Sequence, residues 1–142
     1  MKSFKPTLLG IPFDANSSYL RGAADAPPLI SEAFHCDSSN SSTENGIELS
    51  AESVLDAGDL KLLTDSAFTT IENAVGELLD KGQNPLCLGG DHSITYPIVR
   101  AFAKHFTDLT IVHFDAHPDL YDEFRAVATP MLARLPGSWK KV

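Results

Sequence analysis

The chain has 142 residues, of which 43% are hydrophobic and 21% charged, enough for one globular domain with a sizeable core. A formal net charge of −8 argues against nucleic acid or an anionic membrane as partner, and no apolar run approaches transmembrane length. The opening residues MKSFKPTLLGIPFD carry bases but only a short apolar stretch before Asp14, so they do not read as a signal peptide. The two cysteines, Cys36 and Cys87, are far apart. They read as buried thiols of a reducing cytoplasm rather than as a disulfide.

In chain order, TLLGIPFD (7–14) reads as a short buried strand that runs into a polar loop, ANSSYLRGAADAPP, rich in turn formers. PPLISEAFHC reads as a helix with Pro in its first turn. DSSNSSTENG (37–46) is polar and aperiodic, a surface loop, and SVLDAGDL (53–60) is a second short strand. The clearest helix is TDSAFTTIENAVGELLDKG (64–82), where Ala67, Phe68, Ile71, Ala74, Val75, Leu78 and Leu79 make one apolar face. Thr64 or Asp65 is placed to cap it and Gly82 to stop it. NPLCLGG (84–90) is a third strand, SITYPIVRAFAKHF (93–106) a second strong helix, and LTIVHFDA (109–116) a fourth strand with nearly every residue apolar. Apolar strands alternating with amphipathic helices predict an α/β fold, a parallel sheet covered on both faces. Ligand sites in such sheets lie past the carboxyl ends of the strands, where GGDHS (89–93) and DAHPD (115–119) both fall.

In an extended segment Asp115 and His117 point the same way. Pro118 holds residue 117 extended, so Asp119 can curl back toward the same point. With an imidazole beside them, the two carboxylates repel one another and are poorly solvated unless a cation joins them. A carboxylate-heavy set suits manganese better than zinc. In GGDHS, the glycines let the backbone turn sharply. His92 falls at the strand-to-helix junction, and Asp91 falls near a helix N-terminus that favours a carboxylate. Alone, GGDHS also fits a tight turn with a capping acid and DAHPD a solvated loop with a satisfied histidine; the two together, at neighbouring strand ends, point to a metal site. His113 shares parity with Asp115 but lies deeper, and is expected to be a hydrogen-bonded core histidine. His35 and His105 are expected at helix ends on the surface.

GGDHSITYPIVRAF followed by VHFDAHPDLYDEF closely resembles the ureohydrolases, the arginase and agmatinase family. GIPFDANSSYLRGAADAPPLI and DAGD (56–59) fit the same resemblance, which spans about residues 7–124. The residues around ITYP and DLYDEF look more like agmatinase than arginase. The resemblance implies a three-layer α/β/α fold, with a parallel sheet of about eight strands. It also implies a binuclear manganese site whose bridging hydroxide attacks the guanidinium carbon of a small guanidino substrate, most simply agmatine, giving putrescine and urea. Carried across by motif, His92 and Asp119 would bind one ion, His117 the other, and Asp115 both. Homo-oligomers are also implied, and a cytoplasmic place in polyamine metabolism is expected.

The sequence then departs from the pattern. The family completes its site with a later Asp-x-Asp pair and a histidine, but no Asp or Glu follows Glu123 here. Residues 1–124 are therefore expected to be the N-terminal part of one ureohydrolase domain, inactive alone, binding at most one manganese weakly and prone to aggregate. Residues 125–142 are expected to be an aberrant tail. Back-translated with freely chosen third bases and read two bases out of phase, that tail gives a histidine-bearing segment similar to the family's continuation, so out-of-frame translation is the expected origin. The alternatives are a non-enzymatic remnant with weak metal binding and a metal-dependent deacetylase-type amidohydrolase on a similar fold.

Overall fold

The computed structural model describes residues 5–49 and 53–117; Asp119 and the tail from 125 to 142 lie outside them. Three strands, β1 (Pro6–Ile11), β2 (Leu55–Asp59) and β3 (Asn84–Gly89), form a parallel sheet in the order β2-β1-β3. Three helices alternate with them: α1 (Ala26–Phe34), α2 (Ala67–Asp80) and α3 (Thr95–His105), each entered through a single 3-10 turn.

Alternate residues of β1 face opposite sides of the sheet. Leu9 and Ile11, with Phe13 beyond the strand, join Ala67, Ile71, Val75 and Leu78 of α2 and Ala101 of α3 in the main core. On the other side Gly10 stands against Pro27 of α1: a Cβ added at Gly10 would lie 3.2 Å from the Pro27 Cβ and 1.7 Å from the Asp59 carboxylate. Helices thus cover both faces, as right-handed crossovers demand when the chain steps from β1 to β2 and back across to β3. The apolar face read from 64–82 is the buried face of α2, with Ile71 and Val75 fully buried. Gly82 adopts φ +69, and the N–H groups of Gly82 and Gln83 reach the carbonyls of Leu79 and Leu78 to close the helix end.

Four expectations need correction. Residues 109–116 form no strand; Val112 and Phe114 are exposed, and no ladder joins them to β3. A parallel strand needs a pairing edge and cover on both faces together, and among the described residues no helix covers Phe114. The start of α2 has no side-chain cap, because the 3-10 turn Thr64–Ser66 satisfies the entry with backbone geometry. Cys36 is exposed rather than buried, and its thiol is lowered by a hydrogen bond with the Ser38 hydroxyl. Cys87 is half-buried against the core, and desolvation pushes its thiol up to about 12; neither forms a disulfide. His113, too, stands outside the core.

His35 and His105 do sit at helix ends, and His105 ties two helices together. Its Nδ1 lies 2.8 Å from the Ala101 carbonyl and its Nε2 2.9 Å from the Asp80 carboxylate of α2. Both ring nitrogens face acceptors, so the full pair of bonds requires imidazolium. The Ala101 carbonyl and then Asp80 raise its pKa, with Lys104 opposing. Stability from this clasp is therefore fully present below the ordinary histidine value of about 6.5 and is lost as pH rises through the raised value. His105→Ala should lower the urea midpoint more at pH 6 than at pH 9; an equal loss at both would show that the charge contributes nothing.

Beyond β3 no further strand pairs among the described residues, and Leu86 of that strand is exposed, as are Val112 and Phe114. An open parallel edge with apolar side chains is a template for association. Light scattering should show particles larger than a monomer as concentration rises, with strong fluorescence of a hydrophobic dye. A dye-silent monomer would contradict this.

Candidate metal centre

The end of β3 is braced against the end of β1. The Asp91 N–H donates to the Phe13 carbonyl at 2.8 Å. Gly90 leaves room for that approach, since a Cβ there would lie 1.9 Å from the Phe13 oxygen. The Asp91 carboxylate caps the following 3-10 turn, accepting the Ser93 N–H at 2.9 Å through Oδ1. Its Oδ2 accepts the Asn16 N–H at 2.8 Å, and the Asn16 amide reaches the Ser93 hydroxyl at 3.1 Å. Asp14 in turn accepts the Gly22 N–H at 2.6 Å, folding the loop after β1 back on itself. Asp91 thus belongs to the scaffold, as its position near a helix N-terminus suggested. The role of Asn16 was missed by sequence reasoning; the paired glycines were the signal that two backbones meet there.

This bracing sets His92 at the first position of the turn into α3, with Nδ1 3.4 Å from the Thr95 hydroxyl. The chain returns beside it at 113–117. The His92 and His113 rings stack at 5.6 Å and 14°. His113 Nε2 is 3.9 Å from Asp115 Oδ2. His92, His113 and Asp115 each offer a ligand atom, and these atoms all lie within 4.8 Å of one another. His113 is therefore no core histidine: its side chain is 28% exposed, because the segment carrying it is not buried in the sheet. Its parity with Asp115 was the signal for its place in the cluster.

Of the four residues singled out in the sequence, His92 and Asp115 come together. His117 lies beside them rather than among them: its N–H donates to Asp115 Oδ1 at 2.9 Å, while its ring Nδ1 is 3.5 Å from that oxygen and its side chain is 74% exposed. Asp119 lies outside the described residues. The His117 N–H first, and then the neighbouring histidines, hold the Asp115 carboxyl below the usual carboxylate range. An ionised carboxylate between imidazoles is a donor set that fits a divalent cation.

A profile of the Arginase family matches residues 4–134. Arginase 1, mitochondrial, of Oryza sativa subsp. indica is 44% identical over 128 residues, covering 82% of this chain and 38% of that protein. Agmatinase of Bacillus anthracis is 38% identical over 120 residues, covering 82% of this chain and 41% of that protein. Among solved structures, an arginase from Medicago truncatula superposes with a TM-score of 0.79 at 38% identity, covering 89% of this chain and 43% of that one. The chain thus spans about two fifths of the length of these relatives, and the sheet with its two helical layers is the matching portion of their fold. Over that span, this chain belongs to the arginase family.

Proposed function

We propose that the chain contributes the N-terminal part of a manganese-dependent ureohydrolase that hydrolyses a small guanidino compound, with agmatine as substrate and putrescine and urea as products. The observation that carries the reading is the convergence of His92 and Asp115 where the ends of β1 and β3 are braced together. His92, Asp115, His117 and Asp119 would hold the ions. When bound, such ions act as Lewis acids and lower the pKa of water, so that a nucleophile exists near neutral pH. The chain's own residues keep Asp115 ionised through the His117 N–H and fix His92 at the helix entry. The polar loop 14–22, tied to Asp91 through Asn16, stands beside the cluster's scaffold, where a polar substrate would be oriented.

The agmatine reading rests on the residues around ITYP and DLYDEF; arginine is the second reading, favoured by the higher identity to the rice arginase. Urea release from the two compounds by the complete gene product with manganese separates them. Release from agmatine supports the first reading, release from arginine alone the second, and release from neither overturns both. For the 142 residues alone, four donors against the six that the family resemblance implies support at most one weakly held ion and no turnover. We place the reaction in the cytoplasm on composition; no helix among the described residues is long and apolar enough to cross a membrane. The rice relative's name places that protein in mitochondria, and cell fractionation distinguishes the two compartments.

A further inference from the structure

On the reading above that His92 helps to hold a divalent cation, we infer that Asn16 is a positioning residue for His92, and that through Asn16 the order of the loop 14–22 and the binding of the cation are coupled. His92 stands between Asp91 and Ser93, and both neighbours are held from the loop. The Asn16 N–H donates to Asp91 Oδ2 at 2.8 Å, and the Asn16 side-chain amide donates to the Ser93 hydroxyl at 3.1 Å. Ser93 closes the ring, giving its own N–H, at 2.9 Å, and its hydroxyl proton to Asp91 Oδ1. The polarity of position 16 follows. The Ser93 hydroxyl proton is committed to Asp91, so its oxygen has only lone pairs to offer and needs an N–H donor as partner. Ser93 is buried, where a lost donor is costly. Asn16→Asp keeps the shape of the side chain but brings an acceptor to those lone pairs and a second negative charge toward Asp91.

Asn16 also ties the loop to the centre. At its neck the loop is closed by Asp14, whose carboxylate accepts the Gly22 N–H at 2.6 Å. The Asp14 carbonyl accepts the Ser17 N–H at 3.1 Å and the Arg21 guanidinium. Past that neck Tyr19 and Leu20 stand out in solvent, 89% and 69% exposed. Asn16 therefore joins a solvent-exposed tip to the backbone on either side of His92. A cation that fixes His92 steadies Asp91 and Ser93 and so favours their bonds to Asn16. By linkage, an ordered loop favours the cation by the same factor.

Limited trypsin digestion of the 142-residue chain reads the loop at the Arg21–Gly22 bond, beside a side chain that is 59% exposed. The Lys81–Gly82 bond, after α2 and at the far end of the strands, is the control. Asn16→Asp should speed cleavage at Arg21 about tenfold, the scale of a lost hydrogen bond to a charged group, with Lys81 cleaved as before. Manganese titration, followed by the electron spin resonance of the free ion, should show binding weakened about tenfold in the same variant. The wild-type chain gives a readout that needs no variant: manganese should slow cleavage at Arg21 and leave Lys81 unchanged. Equal rates at Arg21 with and without bound manganese overturn the inference. So does faster cleavage of Asn16→Asp with unchanged manganese affinity, or equal acceleration at both bonds; in these cases the metal reading stands. If the wild-type chain binds no manganese, or His92→Ala binds it as the wild type does, the metal reading falls and the inference with it.

Discussion

Gly90→Ala should destabilise the protein by about 3 kcal/mol, the upper end for overpacking, and should detach the loop after β1 from the scaffold of the His92–Asp115 cluster. The added Cβ would lie 1.9 Å from the Phe13 oxygen, 2.8 Å from its carbonyl carbon and 2.9 Å from its nitrogen. All three are backbone atoms, so no side chain can swing aside. Relief comes only by separating β1 from β3 at this point, which breaks the Asp91 to Phe13 hydrogen bond and pulls Asp91 from Asn16. Gly89→Ala is the matched control. Its Cβ would meet the tip of the Ile94 side chain at 2.2 Å, a flexible group that can rotate at smaller cost. Urea denaturation of both variants gives the comparison. Equal losses would mean that the Phe13 contact is not what fixes Gly90.

Ile71→Ala should cost about 3 to 4 kcal/mol, within the range for truncating a buried aliphatic side chain. Ile71 is fully buried on α2, in the cluster with Leu9 and Ile11 of β1 and Ala101 of α3. Its removal leaves a cavity where helix layer and sheet meet, and the surrounding backbone is held from both sides. The urea midpoint should fall with the slope unchanged. A loss below about 1 kcal/mol would mean that the site collapses around the smaller residue.

Much of this architecture was legible because each signal was local. The 3.6-residue spacing from Ala67 to Leu79 needs only a helix and one apolar surface, and the structure supplies both. The strands at 7–14, 53–60 and 84–90 were found to within a few residues of their ends. The run at 109–116 failed for a different reason. Its composition states what the segment could bury, but a strand also requires a partner edge and two covering layers, which are properties of the whole sheet. The mistake at His113 followed from that one: a residue placed inside a strand was read as core, and once the strand is absent it stands in the cluster. His92 was legible because a Gly-Gly turn entering a helix fixes its position from sequence neighbours alone. His117 and Asp115 were legible as a pair, although the structure joins them through a backbone N–H rather than ring to carboxylate.

The strand order has a kinetic consequence. The central strand β1 is synthesised before both of its partners: Leu8 pairs with Asp56 on one side and with Leu86 on the other. At a synthesis rate of 5–20 residues per second, the second partner follows on the order of ten seconds later. Until β2 emerges neither edge of the apolar stretch Leu8, Leu9 and Ile11 has its partner, and until β3 emerges one edge stays open. Every inter-strand contact is also distant in the chain, which places this sheet among slowly folding topologies. The nascent protein therefore carries an apolar central strand first and completes its pairing late.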